Sequence, residues 1–149
     1  MQVKEVMTTD PACCTPETNL PEVAQMMIDH DCGEIPVVDS QQNRLPIGVI
    51  TDRDIVCRAV ALGLNPLELR VADCMSTPCV TVVPEMSVEE CSRVLQENQI
   101  RRVPVVDADG RCSGIVSLAD IALYAEKKIA GDIVKEVSEP SAASSAAGR

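Results

Sequence analysis

Apolar residues recur at helical spacing at Leu20, Val23, Met26 and Met27, and again at Val88, Cys91, Val94 and Leu95. Each run opens on a good N-cap residue, Asn19 or Ser87, with Glu22 or Glu90 three positions later, which predicts a helix start closed by a capping box. Pro21 falls in the first turn, where its missing N–H does no harm. Short continuous apolar stretches follow both helices, at 35–38 and 103–106, and read as strands. Further strands are expected at 47–50 and 114–116, with Asp109-Gly110 as a hairpin turn before the latter. A second helix begins at Thr51 and at Ser117, and Gly63 is expected to cap the end of the former. Each half of the chain thus reads as strand, helix, strand, strand, helix.

The two halves are copies. Shifted by 68 positions, VKEVM (3–7) falls on VADCM (71–75), Pro16-Glu17 on Pro84-Glu85, and IPVVD (35–39) on VPVVD (103–107). Beyond this the shift is 66, because the loop after Asp39 is two residues longer, and GVITDRDI (48–55) falls on GIVSLADI (114–121). The chain divides into a first repeat (1–62), a connector (63–70), a second repeat (71–130) and a C-terminal extension (131–149). From Ser138 the extension reads SEPSAASSAAGR, a low-complexity tail expected to be disordered or loosely attached.

Composition narrows the function classes. The 149 residues are 46% apolar, with no Trp, no Phe and one Tyr, so the core must be aliphatic. A net charge of −10 and a single aromatic ring argue against nucleic-acid binding, which wants a basic face and stacking rings, and against an anionic membrane surface. The start, MQVKEVMTTD, is polar and is not expected to act as a secretory signal, and no apolar run approaches the roughly 18 residues of a membrane span. The expected location is the cytoplasm, with the eight cysteines reduced. No nucleophile elbow or P-loop is present, and His30 is the sole histidine, so no catalytic residues are assigned.

Two copies of an M-[ST]-T start, an apolar-Pro-apolar-apolar-Asp strand and G-apolar-apolar-[TS]-x-x-D resemble a tandem pair of cystathionine β-synthase (CBS) domains, a Bateman module. The resemblance covers about residues 3–130, and TDRDIV (51–56) is also similar to stand-alone bacterial CBS-pair proteins. It implies an α+β fold in which two β-α-β-β-α repeats pack sheet to sheet about a pseudo-twofold axis, leaving two clefts. It further implies a homodimer, a bound AMP, ADP or ATP (S-adenosylmethionine or NAD ranking after these), no required cofactor, and a shape change read by a regulated partner of unknown identity.

By the same resemblance, Thr51 and Asp54 of the first copy, and Ser117 and Asp120 of the second, match the positions near ribose and phosphate. Their place where a strand enters a helix fits a phosphate site, since N–H groups and the positive dipole end gather there. The same [TS]-x-x-D is a helix capping box, so both readings stand side by side. Ile35 and Val103, each before the strand proline, match the positions whose backbone faces adenine; as core-strand residues they would be apolar in any case. The arginines are unequal: Arg101 and Arg102 stand where the first copy has Gly33 and Glu34, and Arg53 stands where the second has Ala119. Phosphates on so acidic a protein need local cations, so at most one cleft is expected to hold a polyphosphate well. Against this stands the reading of Arg102 as a solvated charge or an intersubunit ion pair.

The cysteines lack zinc spacing, and no metal site is assigned. Cys32, Cys57, Cys74 and Cys91 align with Ile100, Leu123, Val6 and Val23, so they are expected to act as small core hydrophobes. Cys13-Cys14, a vicinal pair, leaves a redox or metal sensor open as a third reading. The second is a ligand-free dimerisation or interaction scaffold in which Thr51 and Ser117 are only caps.

Overall fold

The computed structural model describes residues 1–137, with side chains to residue 131. The tail from Ser138 lies outside the described residues. After a 3₁₀ turn (Val3–Glu5), the chain forms β1 (Thr8–Thr9), α1 (Leu20–Asp29), β2 (Glu34–Val38), β3 (Pro46–Thr51) and α2 (Asp52–Ile55), which continues as a π-helical turn (Val56–Val60). A second 3₁₀ turn (Pro66–Glu68) leads to α3 (Val71–Cys74), α4 (Val88–Glu97), β4 (Arg102–Val106), β5 (Cys112–Ser117) and α5 (Leu118–Val137). The extension expected from residue 131 therefore begins inside α5.

The two hairpins repeat one another in register. Glu34 faces Thr51 and Ile35 faces Ile50 in β2–β3; Arg102 faces Ser117 and Val103 faces Val116 in β4–β5. Both ladders slip at the same place, between Val37 and Val38 and between Val105 and Val106. The Pro36 and Pro104 carbonyls accept from Cys14 and Val82, single-residue parallel bridges on the outer side of each hairpin. A proline is tolerated there because that side needs few ladder donors. Asp107 closes the second turn by accepting from Gly110 and donating to Arg111, and Gly110 takes φ +82°, where a side chain is strained.

The leading segments of the two repeats are exchanged. Val3 is fully buried in the second core with Val82, Cys91, Leu95, Val103, Val105 and Val116. Its equivalent Val71 is buried with Cys74 in the first core, among Leu20, Val23, Ile35, Val37 and Ile50. The hydrogen bonds match pairwise: Val3 and Lys4 donate to Met86 and Pro84, as Val71 and Ala72 donate to Thr18 and Pro16. β1 adds to β5 antiparallel, and Ser76 bridges Val49 of β3 in the corresponding place, so the first strand expected of the second repeat is a single bridge. Glycines permit this approach. A Cβ on Gly48 would collide with the Ser76 carbonyl, and one on Gly114 would come within 3.0 Å of the Thr8 carbonyl.

Two local expectations need correction. Asn19 forms no side-chain cap: Leu20 donates to the Leu69 carbonyl and Glu22 to the Asn19 carbonyl, so the backbone already satisfies these donors. Ser87 accepts from the Glu90 N–H at 3.0 Å, which is half of the expected box. Of the four cysteines expected in the core, Cys74 and Cys91 are buried and Cys32 partly so, but Cys57 is exposed, as is its equivalent Leu123 on α5.

Candidate functional site

A cleft of about 410 Å³ opens between the repeats, lined by Gly33, Glu34, Thr51 to Arg53, and Gln99 to Arg102. A neighbouring cavity of about 130 Å³ is lined by Ile35, Pro36, His30, Thr8, Pro11 and Ile115 among others. Glu34 and Arg102 line both, so they form the wall between them. The sheets create this arrangement: β2 and β4 present equivalent first residues, one acidic and one basic, across the repeat boundary.

Thr51, Arg53, Arg101 and Arg102, drawn from both repeats, meet on the large cleft. Ile35 borders the small cavity, while Val103 is fully buried in the second core. Ser117 is buried, and Asp120 borders a separate hollow of about 240 Å³ beside Glu5, Tyr124 and Lys127. The second [TS]-x-x-D motif is therefore not brought to the arginine-rich cleft.

Both motifs form capping boxes. The Thr51 hydroxyl accepts from the Asp54 N–H at 3.0 Å, and the Asp54 carboxylate accepts from the Thr51 N–H at 3.0 Å. Ser117 and Asp120 repeat the pair at 3.0 and 3.3 Å. Asp54 also accepts from the Ser76 hydroxyl at 3.1 Å and faces Arg58 at 3.9 Å. The N–H groups that open α2 are all engaged: Asp52 donates to the Gly33 carbonyl, Arg53 to the Asp52 carboxylate and Asp54 to Thr51. An anion in this cleft would therefore meet arginine side chains rather than free helix N–H groups.

Glu34 is the site residue that the sequence reading passed over. It is 8% exposed, and burial pushes its carboxyl up to about 7; Arg102 pulls it down and Asp54 raises it further. The two side chains do not close an ion pair within 4 Å, so Glu34 is held among charges without a neutralising contact. The signal was present in the self-alignment, where Glu34 falls on Arg102. A reversal of charge at equivalent positions places the two beside one another wherever a pseudo-twofold axis passes.

The vicinal cysteines diverge. Cys14 enters the first core, its thiol donating to the Pro36 carbonyl and pushed up to about 12 by burial. Cys13 turns the other way, toward Cys112 and Arg44. Among the described residues no three His, Cys, Asp or Glu side chains come together as a metal site, and no helix is long and apolar enough to cross a membrane.

Comparison with known proteins places this geometry in context. The CBS domain family model matches residues 3–60 and 71–127. Hypoxic response protein 1 of Mycobacterium tuberculosis is 33% identical over 142 residues, 95% of this chain and 97% of its own. Its crystal structure, with two coordinated zinc ions, superposes with a TM-score of 0.73, covering 83% of this chain and 98% of that one. CBSX2 of Arabidopsis thaliana in complex with AMP is 27% identical, with a TM-score of 0.72 over 86% of this chain and 98% of that one. The CBS domain pair of protein MJ0100, in complex with 5′-methylthioadenosine and S-adenosyl-L-methionine, is 25% identical, with a TM-score of 0.73 over 83% of this chain and 98% of that one. Two hairpins in one register, exchanged leading segments and a cleft between repeats thus belong to a chain that is a tandem pair of domains of the CBS family.

Proposed function

We propose that this chain is a regulatory module that binds an adenine nucleotide in the cleft of about 410 Å³ and signals occupancy to a partner protein by a change in the arrangement of its repeats. One observation carries the reading: Arg53, Arg101 and Arg102 converge from separate repeats on one cleft of a protein with net charge −10. Arginine forks suit phosphate oxygens. With no Trp or Phe in the chain, an adenine would rest on aliphatic side chains, of which Ile100 lines this cleft and Ile35 the neighbouring cavity, and be recognised through backbone groups. Complexes of CBS pairs with AMP and with adenosyl compounds support this ligand class. AMP, ADP and ATP come first; S-adenosylmethionine and NAD follow.

The role is regulatory rather than catalytic, and the location expected is the cytoplasm. A homodimer belongs to the same reading, supported by exposed apolar side chains at Val56, Val60, Leu62 and Leu64 after α2, and at Leu123 and Ile129 on α5. Calorimetry of the full chain with the five ligands tests the proposal. Binding of at least one, weakened by Arg102→Ala, is the expected result. No heat and no thermal stabilisation with any of the five would instead favour the scaffold reading, which has its own support: both capping boxes are complete without a ligand.

A further inference from the structure

We propose that Cys13 and Cys112 form an oxidation-responsive site that closes to a disulfide between the two repeats when the protein meets a peroxide. The two residues stand 99 positions apart in the chain. Cys13 lies between β1 and the bridge that flanks β2, and Cys112 opens β5. They pack with Val38 in a small cluster separate from both cores, at 6% and 4% exposure.

Arg44 ties the two together. Its carbonyl accepts from the Cys112 N–H at 2.8 Å, and its guanidinium donates to the Cys13 sulfur at 3.4 Å and to the Pro11 carbonyl at 3.0 Å. The Arg44 charge favours the thiolate form of both sulfurs. The thiolate is the nucleophile, and the thiol packed beside it resolves the product. Cys14 is no rival, since its sulfur is turned into the first core.

The chemistry balances with a peroxide as oxidant. One thiolate of the pair attacks one peroxide oxygen, the O–O bond breaks, and a sulfenic acid and hydroxide form. The second sulfur then attacks the first, the S–O bond breaks, and the departing hydroxide takes the second thiol's proton. Two thiols lose two electrons, and hydrogen peroxide becomes two waters. The bridge would pin both flanks of the cavity of about 130 Å³, which is lined by Pro11 and Ala12 on one side and Ile115 of β5 on the other.

The test uses the reduced full chain carrying Cys57→Ser, which removes the exposed thiol. Brief treatment with hydrogen peroxide, alkylation of remaining thiols and non-reducing tryptic mapping should show peptide 5–44 joined to peptide 112–127, with fragmentation placing the link at Cys13. Dithiothreitol should separate the two peptides. Cys14→Ala should retain the link. Cys13→Ser and Cys112→Ser should each abolish it. A link from Cys14 or Cys32 to Cys112, a Cys13–Cys14 loop, or an unmodified Cys112 would overturn the proposal. Mapping of the chain with both residues intact decides this even if Cys13→Ser folds poorly.

Discussion

Replacing Glu34 by glutamine should stabilise the protein above pH 7 and leave it almost unchanged near pH 4.5. Folding buries this carboxyl and moves its pKa from 4.5 to about 7. Between those values the folded protein keeps a proton that the unfolded chain has released. The associated stability is complete below about 4.5 and is lost as pH rises through about 7. At about 1.36 kcal/mol per pH unit, the climb amounts to about 3 kcal/mol. A glutamine side chain cannot ionise, so the variant escapes that loss. Urea unfolding of both proteins from pH 4.5 to 8 gives the difference directly, and the comparison cancels every other titrating group. The expected difference grows from near zero at the acidic end to about 3 kcal/mol at pH 8, in favour of the variant. A variant that follows the parent's pH slope, or is weaker at pH 8, would show that Glu34 is solvated or neutralised by Arg102 and would refute the reasoning.

Four further outcomes are expected. Because ionised Glu34 repels anions from the cleft, the AMP affinity of the parent should fall relative to that of Glu34→Gln as pH rises from 6 to 8, a comparison by calorimetry that cancels the titration of the AMP phosphate itself; Arg102→Ala should weaken AMP about tenfold or more by removing a charged hydrogen-bond donor. Gly48→Val drives a side chain into the Ser76 carbonyl and should cost about 1–3 kcal/mol in denaturant unfolding. Removing residues 1–7 should lower amide-exchange protection first at Val105 and Val116 of the second core, not at Ile35 and Ile50 of the first; loss confined to the first core would contradict the exchanged packing.

The repeat, the hairpins and both capping-box tetrapeptides could be read from the sequence because each is a local pattern with a fixed period. Exchange of the leading segments could not be read. Val3 and Val71 occupy equivalent positions, so the self-alignment is the same whichever core each enters. Asn19 misled because its expected role was taken over by backbone carbonyls from the distant residue 69 and from its own position. Cys57 misled because its equivalent, Leu123, is apolar yet also exposed, so an apolar residue in the other copy did not mark a core position. Of the site, the arginines were legible as an asymmetry between copies, and their convergence followed only when the two sheets were set against each other. Glu34 was hidden by contrast with arginine: it was noticed as the missing cation rather than as a buried acid.

The traded leading segments also say something about half of this molecule. A lone repeat would carry a strand it cannot use and a groove it cannot fill. Two such halves would satisfy one another by swapping in trans, so the smallest self-sufficient unit is a pair, whether or not one chain encodes it. The stretch between the two matched repeats, residues 61–70, turns that encounter into an intramolecular one, at an effective concentration on the order of millimolar, and makes the pairing independent of dilution.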